Sequence, residues 1–357
     1  MPRRETGCRN PHALYQRVAA ADSIAALKDI SDVLLSTVDQ TVRAGAGAKE
    51  IVELISGIND AVTRRLIVIL DETEGIRLPS GATYLVLGSE GRGDQTMRTD
   101  QDNAIAYRDD FPLENLCYVE QFAVRIVDAL EEIGVPRCPG NIMASNPEWR
   151  HSMSEWRLLL DEWITVPTPE NVLKFGIFQD VRSLHGDLSL GTKLRDHIRI
   201  SARNCSRFFP NMAFHAIRFP SALGIFGRIR IERFGEHKGK IDIKKAGIFA
   251  ITLGVSLLAL EKGVNSGNTW GKLESLKISR TITDRDAIII EDAFNCLVIL
   301  RLRSQLRELI SGKKPTYYVD VQSMSDTELK ELQCALKGVK TLHYLLRSHY
   351  HLDSISP

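Results

Sequence analysis

The sequence predicts an α+β fold: a small mixed-sheet core carried between N-terminal helices and a C-terminal helical bundle. Its three parts are expected at 1–75, 76–200 and 201–357. Three observations carry this. Apolar residues recur at intervals of three and four toward both ends of the chain. Two short apolar runs, Tyr84–Leu87 and Asn103–Tyr107, have the length and composition of strands. A polar, Gly-rich segment, from Gly88 to Asp102, joins them.

In the first part, Leu14, Val18, Ala21, Ile24, Leu27, Ile30, Val33 and Leu34 recur at helical spacing, with Asp22-Ser23 as a cap. Gly45 and Gly47 punctuate, and Ile51 to Leu70 repeats the pattern. Two or three packed helices over 11–75 follow, either as support for the sheet or as a docking or dimerisation element, so a homo-oligomer is compatible.

In the second part, Leu113 to Ile133 is an amphipathic helix whose apolar stripe is Leu116, Val119, Phe122, Ala123, Ile126, Val127 and Leu130. Gly134-Val135-Pro136 ends it. Cys138 to Asn146 is expected to be a strand flanked by turns, and Ser154 to Val166 a helix. From Val172 to Ser183, Ile177, Gln179 and Val181 alternate with Phe178, Asp180 and Arg182, which predicts a strand presenting Asp180 on one face. Ser189 to Arg203 returns to helix.

In the third part, Phe226–Ile231 and Lys240–Ile243 are expected to form a hairpin around Gly235 to Gly239, rich in Arg and Lys. Helices are expected at Ile248–Lys262, Asp284–Ser311 and Ser325–His349. Ser325 followed by Glu328 is a capping box for the last.

Composition narrows the function classes. Lys plus Arg is 46 against Asp plus Glu 45, so charge gives no sign of general nucleic-acid binding. Six cysteines are scattered without a C-x-x-C pair, which predicts reduced thiols in a cytoplasmic protein and neither a zinc site nor a disulfide scaffold. The start of the chain lacks the apolar core of a secretory signal. The most apolar run, Ala246 to Leu260, is too short to span a bilayer, so no membrane association is expected.

The chemistry concentrates between Gly88 and Asp102. Side chains alternate along a strand, so Asp100 and Asp102 leave one face while Gln101 points away. Two neighbouring carboxylates repel unless a cation lies between them, and oxygen ligands of this kind suit Mg²⁺ shared with substrate phosphates. A pair of such ions about 3.5–4 Å apart clamps in-line displacement at phosphorus. Gly88 lets backbone approach a phosphate closely, and the Ser89 hydroxyl and following amides can donate to its oxygens. Competing motifs fail: Ala104 and Ile105 occupy positions an EF-hand loop needs for other residues, no G-x-x-x-x-G-K-[ST] exists, and Gly91-Arg92-Gly93 does not complete a dinucleotide fingerprint.

Gly88-Ser89 followed by Asp100-x-Asp102 resembles the signature of the nucleotidyltransferase superfamily, the fold of DNA polymerase beta. The string GSEGRGDQTMRTDQDNA is similar to one branch of it. That branch is often fused to CBS and cyclic-nucleotide-binding domains and is related to the uridylyltransferase that modifies the PII nitrogen-signalling protein. The resemblance extends through Cys138–Arg150, Phe178–Asp187 and the C-terminal helical half. One departure is Asp94, where the branch has the longer Glu.

The resemblance implies transfer of a nucleoside monophosphate from an NTP to an acceptor hydroxyl, with signal transduction as the setting and a protein among the possible acceptors. It implies two Mg²⁺ ions on Asp100 and Asp102. Asp180 matches the third acidic position, as a further metal ligand that helps activate the acceptor; Asp187 is a rival for that place. Gly88 and Ser89 would cradle phosphates, with Arg92 and Lys240 as basic partners of the triphosphate. Two alternatives belong to other classes: a catalytically silent nucleotide-binding regulator, and an interaction scaffold acting through its helices.

Overall fold

The computed structural model describes residues 11–97, 99–218, 222–224, 228–264 and 267–354. The chain forms two compact units. One holds the chain up to Ser154 together with Arg182–Thr192; the other holds Glu155–Val181 and the chain from Lys193 onward.

The first unit begins with three helices, α1 (Pro11–Ala20), α2 (Ile24–Arg43) and α3 (Ala48–Glu74). Ser23 caps α2 by accepting from the Ala26 amide. Gly75 closes α3 in the left-handed conformation, at φ +67°. Ile51, Ile55, Ile58, Leu66 and Leu70 of α3 are buried, so the predicted helical stripe is the packed one.

Beside these helices lies a four-stranded mixed sheet of order β3-β2-β1-β4. Its strands are β1 (Ala82–Val86), β2 (Asn103–Tyr107), β3 (Arg150–Ser152) and β4 (Arg182–Gly186). β1 pairs antiparallel with both β2 and β4, while β3 adds to β2 in parallel. A short helix, α4 (Gly88–Arg92), follows β1 directly, and α5 (Leu116–Glu132) buries the stripe read from the sequence from Val119 to Leu130, with Leu116 only half-buried. The α+β class is therefore as expected.

Two strand expectations are corrected. Cys138 to Asn146 is a loop, and the edge strand beside β2 comes later, at β3. The loop's polar groups are spent on β2 rather than on a ladder of its own: Ile142 accepts from the Asn103 amide, and the Ala144 amide donates to the Asn103 side chain. Val172 to Phe178 lies in helix α7 (Pro169–Phe178), capped by Thr168 with Pro169 in the first turn. Val172, Phe175 and Phe178 are buried at helical spacing, and this contact outweighs the local alternation. Strand β4 begins only after Asp180.

The second unit is mostly helical. α6 (Met153–Thr165) from Glu155 on, α7, α8 (Leu188–Asn204) from Lys193 on and α9 (Phe208–Ile217) precede a π-turn at Lys244–Ile248 that runs into α10 (Phe249–Glu261). From Ala250 to Leu260 every residue of α10 is buried. α11 (Thr269–Ile278), α12 (Asp284–Ile310) and α13 (Asp326–His349) complete the bundle. α12 and α13 approach closely at Gly338, where a Cβ would stand 2.6 Å from that of Ala293. The Ser325–Glu328 capping box is present.

The expected hairpin is also corrected. Strand β5 (Lys240–Asp242) pairs antiparallel with β6 (Tyr318–Asp320), a segment far along the chain. Phe226 and Gly227 of the expected partner lie outside the described residues, Ile229 bridges to Leu223, and beside the turn the Glu232 amide donates to the Lys240 carbonyl while its own carbonyl accepts from the Gly239 amide. Among the described residues, no helix is long and apolar enough to cross a membrane.

Candidate active site

The site is built where β1, α4 and the start of β2 meet. The Leu87 amide donates to the Asp102 carbonyl at 2.9 Å, which ties the end of β1 to the acidic segment. Gly88 then turns the chain at φ +53°, a conformation glycine adopts without steric cost. It also leaves space that another residue would fill: a Cβ at this position would stand 2.5 Å from Asp102 Oδ2.

The other side of the acidic segment is held by the loop after α5. The Gln101 amide donates to the Pro136 carbonyl, and its side-chain amide donates to the carbonyls of Val127 and Val135, each at 3.1 Å. Gln101 thus points away from the carboxylates, as strand alternation requires. Together with the Asn103 contacts, these bonds align residues 136–144 along residues 101–103 and bring Cys138 to the carboxylates. One ligand atom from each of Asp100, Asp102 and Cys138 lies within 4.8 Å of the others. Burial, and after it the negative charge of Asp102, push the Cys138 thiol up to about 12.

This donor set fits a divalent cation. Two carboxylates on adjacent like-facing positions face a third ligand atom, with no side chain on Gly88 to block them.

A second charged group lies behind α4. Arg182, at the start of β4, forks onto Asp60 of α3 with both contacts at 2.8 Å, and also donates to the Glu90 carbonyl at 3.0 Å. Burial and the negative charge of Asp60 push the Glu90 carboxyl up to about 8; Arg182 opposes them and Asp102 adds to them. Glu90 therefore stands protonated at neutral pH, within electrostatic reach of Asp102.

The expected residues divide between the units. Gly88, Ser89, Arg92, Asp100 and Asp102 all belong to the sheet unit. Arg92 is mostly buried and its Nε lies 3.1 Å from Asp94 Oδ2, so the shorter Asp at position 94 still reaches the arginine. Asp180 and Lys240 belong to the helical unit. Asp180 is buried in the turn after α7, where its carboxylate accepts from Lys272 Nζ and from Ser256 Oγ. Lys240 sits on β5, bonded through its backbone to Glu232 and His237. Asp187 caps the start of α8 by accepting from Ser189.

A serine, a histidine and an aspartate also meet in the helical unit, without the order nucleophilic catalysis needs. Asp161 Oδ1 accepts from both His197 Nε2, at 2.9 Å, and Ser201 Oγ, at 2.6 Å. The serine hydroxyl thus donates its hydrogen bond to the carboxylate directly, and the imidazole does not stand between them.

Sequence reasoning did not single out Glu90, Cys138, Asp60 or Arg182. Glu90 was visible inside the Gly-rich string. Cys138 follows the Gly134–Pro136 break, but only the loop bonds to residues 101–103 show that it faces Asp102.

Residues 34–170 match the family model described as "Putative nucleotidyltransferase DUF294", and residues 206–350 match the one described as "Putative nucleotidyltransferase substrate binding domain". The chain belongs to this nucleotidyltransferase family. The first match contains the whole Gly88–Asp102 segment and Cys138; the second covers most of the helical unit. No curated protein matches the chain.

Proposed function

We propose that this protein transfers a nucleoside monophosphate from an NTP to an acceptor hydroxyl and releases pyrophosphate. The acceptor oxygen forms a bond to the α-phosphorus, the bond from that phosphorus to the bridging oxygen of the β-phosphate breaks so that this oxygen leaves with pyrophosphate, and the hydroxyl proton passes to solvent. The observation that carries this reading is the convergence of Asp100 and Asp102 beside a Gly88 that has no room for a side chain, within the family-matched segment.

Asp100 and Asp102 would hold two magnesium ions, which when bound supply positive charge to the phosphates. Gly88 leaves backbone open to a phosphate and Ser89 offers a hydroxyl donor beside it. Arg92 is steadied by Asp94 and adds a fixed positive charge within the same short helix. The protein's own contribution is positioning and electrostatics rather than a nucleophile. Asp180 has a different part in this reading: its bonds to Lys272 and Ser256 hold the helical unit together.

The test is transfer of label from an α-labelled NTP, with pyrophosphate release followed in parallel, against fractions supplying protein and small-molecule hydroxyls. Wild type is expected to label an acceptor in a magnesium-dependent way, and Asp100→Asn and Asp102→Asn are expected to abolish it while keeping their fold. Undiminished transfer by both variants would remove the assignment.

A further inference from the structure

Two carboxylates alone make a hard-ion site, and the structure places a sulfur beside them. Ligand atoms of Asp100, Asp102 and Cys138 lie within 4.8 Å of one another, and Cys138 is a free thiol in hydrogen-bond contact with the Asp102 carboxylate. Its placement is enforced rather than incidental. Pro136 accepts from the Gln101 amide, Ile142 accepts from the Asn103 amide, and the Asn141 amide closes the turn onto the Cys138 carbonyl at 3.0 Å. The loop is therefore bonded to the acidic segment on both sides of Cys138.

Magnesium gains little from such a sulfur, since it demands oxygen ligands and gives up water reluctantly. Zinc-class ions behave otherwise. They bind thiolate strongly, accept carboxylate oxygen, and form four-coordinate sites from three protein ligands with one position left open. The same three residues thus offer magnesium two useful ligands and offer zinc three.

We infer that Asp100, Asp102 and Cys138 form a thiophilic metal site, which takes a zinc-class divalent ion in competition with magnesium. On binding, a sulfur–metal bond forms and the thiol proton passes to solvent. Both carboxylates are then committed to an ion that holds fewer ligands, so the site cannot take its magnesium complement until that ion leaves. The inference rests on the reading of Asp100 and Asp102 as metal ligands, and it makes nucleotidyl transfer sensitive to the free concentration of zinc.

Cadmium is the probe, because a cadmium–thiolate bond has its own ultraviolet charge-transfer band and needs no assay of activity. Titration of the metal-free full chain should give that band for wild type, with excess Mg²⁺ reversing it. Cys138→Ser should lose the band and bind cadmium at least about tenfold more weakly, and Asp100→Asn/Asp102→Asn should also lose affinity. Circular dichroism melts check that each variant is folded, with Cys138→Ala as a second substitution. A band that persists in folded Cys138 variants comes from another thiol, such as the exposed Cys117 or Cys334, and overturns the inference. So does a band indifferent to the double Asp substitution or to magnesium. If the band behaves as expected but no NTP binds, the transfer reading fails and the metal site stands; the converse result separates them the other way.

Discussion

The Asp102 carboxylate lies against the backbone of Gly88, so closely that a Cβ there would sit 2.5 Å from Oδ2 and 3.4 Å from Cγ. This contact joins the two halves of the site, the turn after β1 and the acidic entry to β2. It explains why the position is glycine on two counts: the left-handed backbone at φ +53° and the volume the carboxylate occupies. Gly88→Ala should therefore displace Asp102 and abolish magnesium-dependent NTP binding. The backbone strain should add a stability loss of about 1–2 kcal/mol. Calorimetry and thermal denaturation would check both, and a variant that binds NTP like wild type would contradict the contact's role.

Glu90 should make stability depend on pH. The folded protein holds its proton up to about 8, whereas the unfolded chain releases it near the ordinary value of 4.5. Between those values the unfolded state has lost a proton that the folded state keeps, so this group's contribution declines as pH rises from 4.5 through 8. Glu90→Gln removes that decline, and its melting temperature should gain on wild type across the same window. Arg182→Met removes the charge that opposes the shift and should extend the window upward. Parallel melts at pH 5 and pH 8.5 would show no change in the difference between Glu90→Gln and wild type if Glu90 were not held protonated.

Asp180 and Lys272 should behave as a buried pair. Their side chains are 6% and 1% exposed, so Asp180→Asn leaves an ammonium group in the interior without its counter-charge. A loss of about 3–5 kcal/mol is expected. Asp180→Asn/Lys272→Met should recover much of it, since replacing both members removes the stranded charge. Denaturant unfolding of the single and double variants measures this. An Asp180→Asn protein of wild-type stability that has lost transfer would instead support the metal-ligand role its sequence position implies.

Much of this fold is local and legible. The strand at β1, the acidic entry to β2, the α5 stripe and the Ser325–Glu328 box each depend on neighbours within a few residues. The readings that failed needed more. Ile177, Gln179 and Val181 alternate like a strand, yet Val172, Phe175 and Phe178 also lie at helical spacing behind a Thr168 cap and Pro169. Only burial of the second set decides between them. The β5–β6 pairing joins Lys240 to Asp320, and nothing near either segment announces the other. At the site, Asp100 and Asp102 could be found from alternation alone. Cys138, Asp60 and Arg182 reach it from three other elements, and no spacing in the sequence records that.

In the proposed reaction Asp100 and Asp102 bind the metal that secures a nucleotide. Calorimetric titration of each of the four NTPs, with and without Mg²⁺, into wild type and Asp100→Asn/Asp102→Asn tests it most directly. Wild type should bind at least one NTP in a Mg²⁺-dependent way, and the double variant should lose that binding. Binding of equal strength to the folded double variant, or no binding of any NTP to wild type, would contradict it.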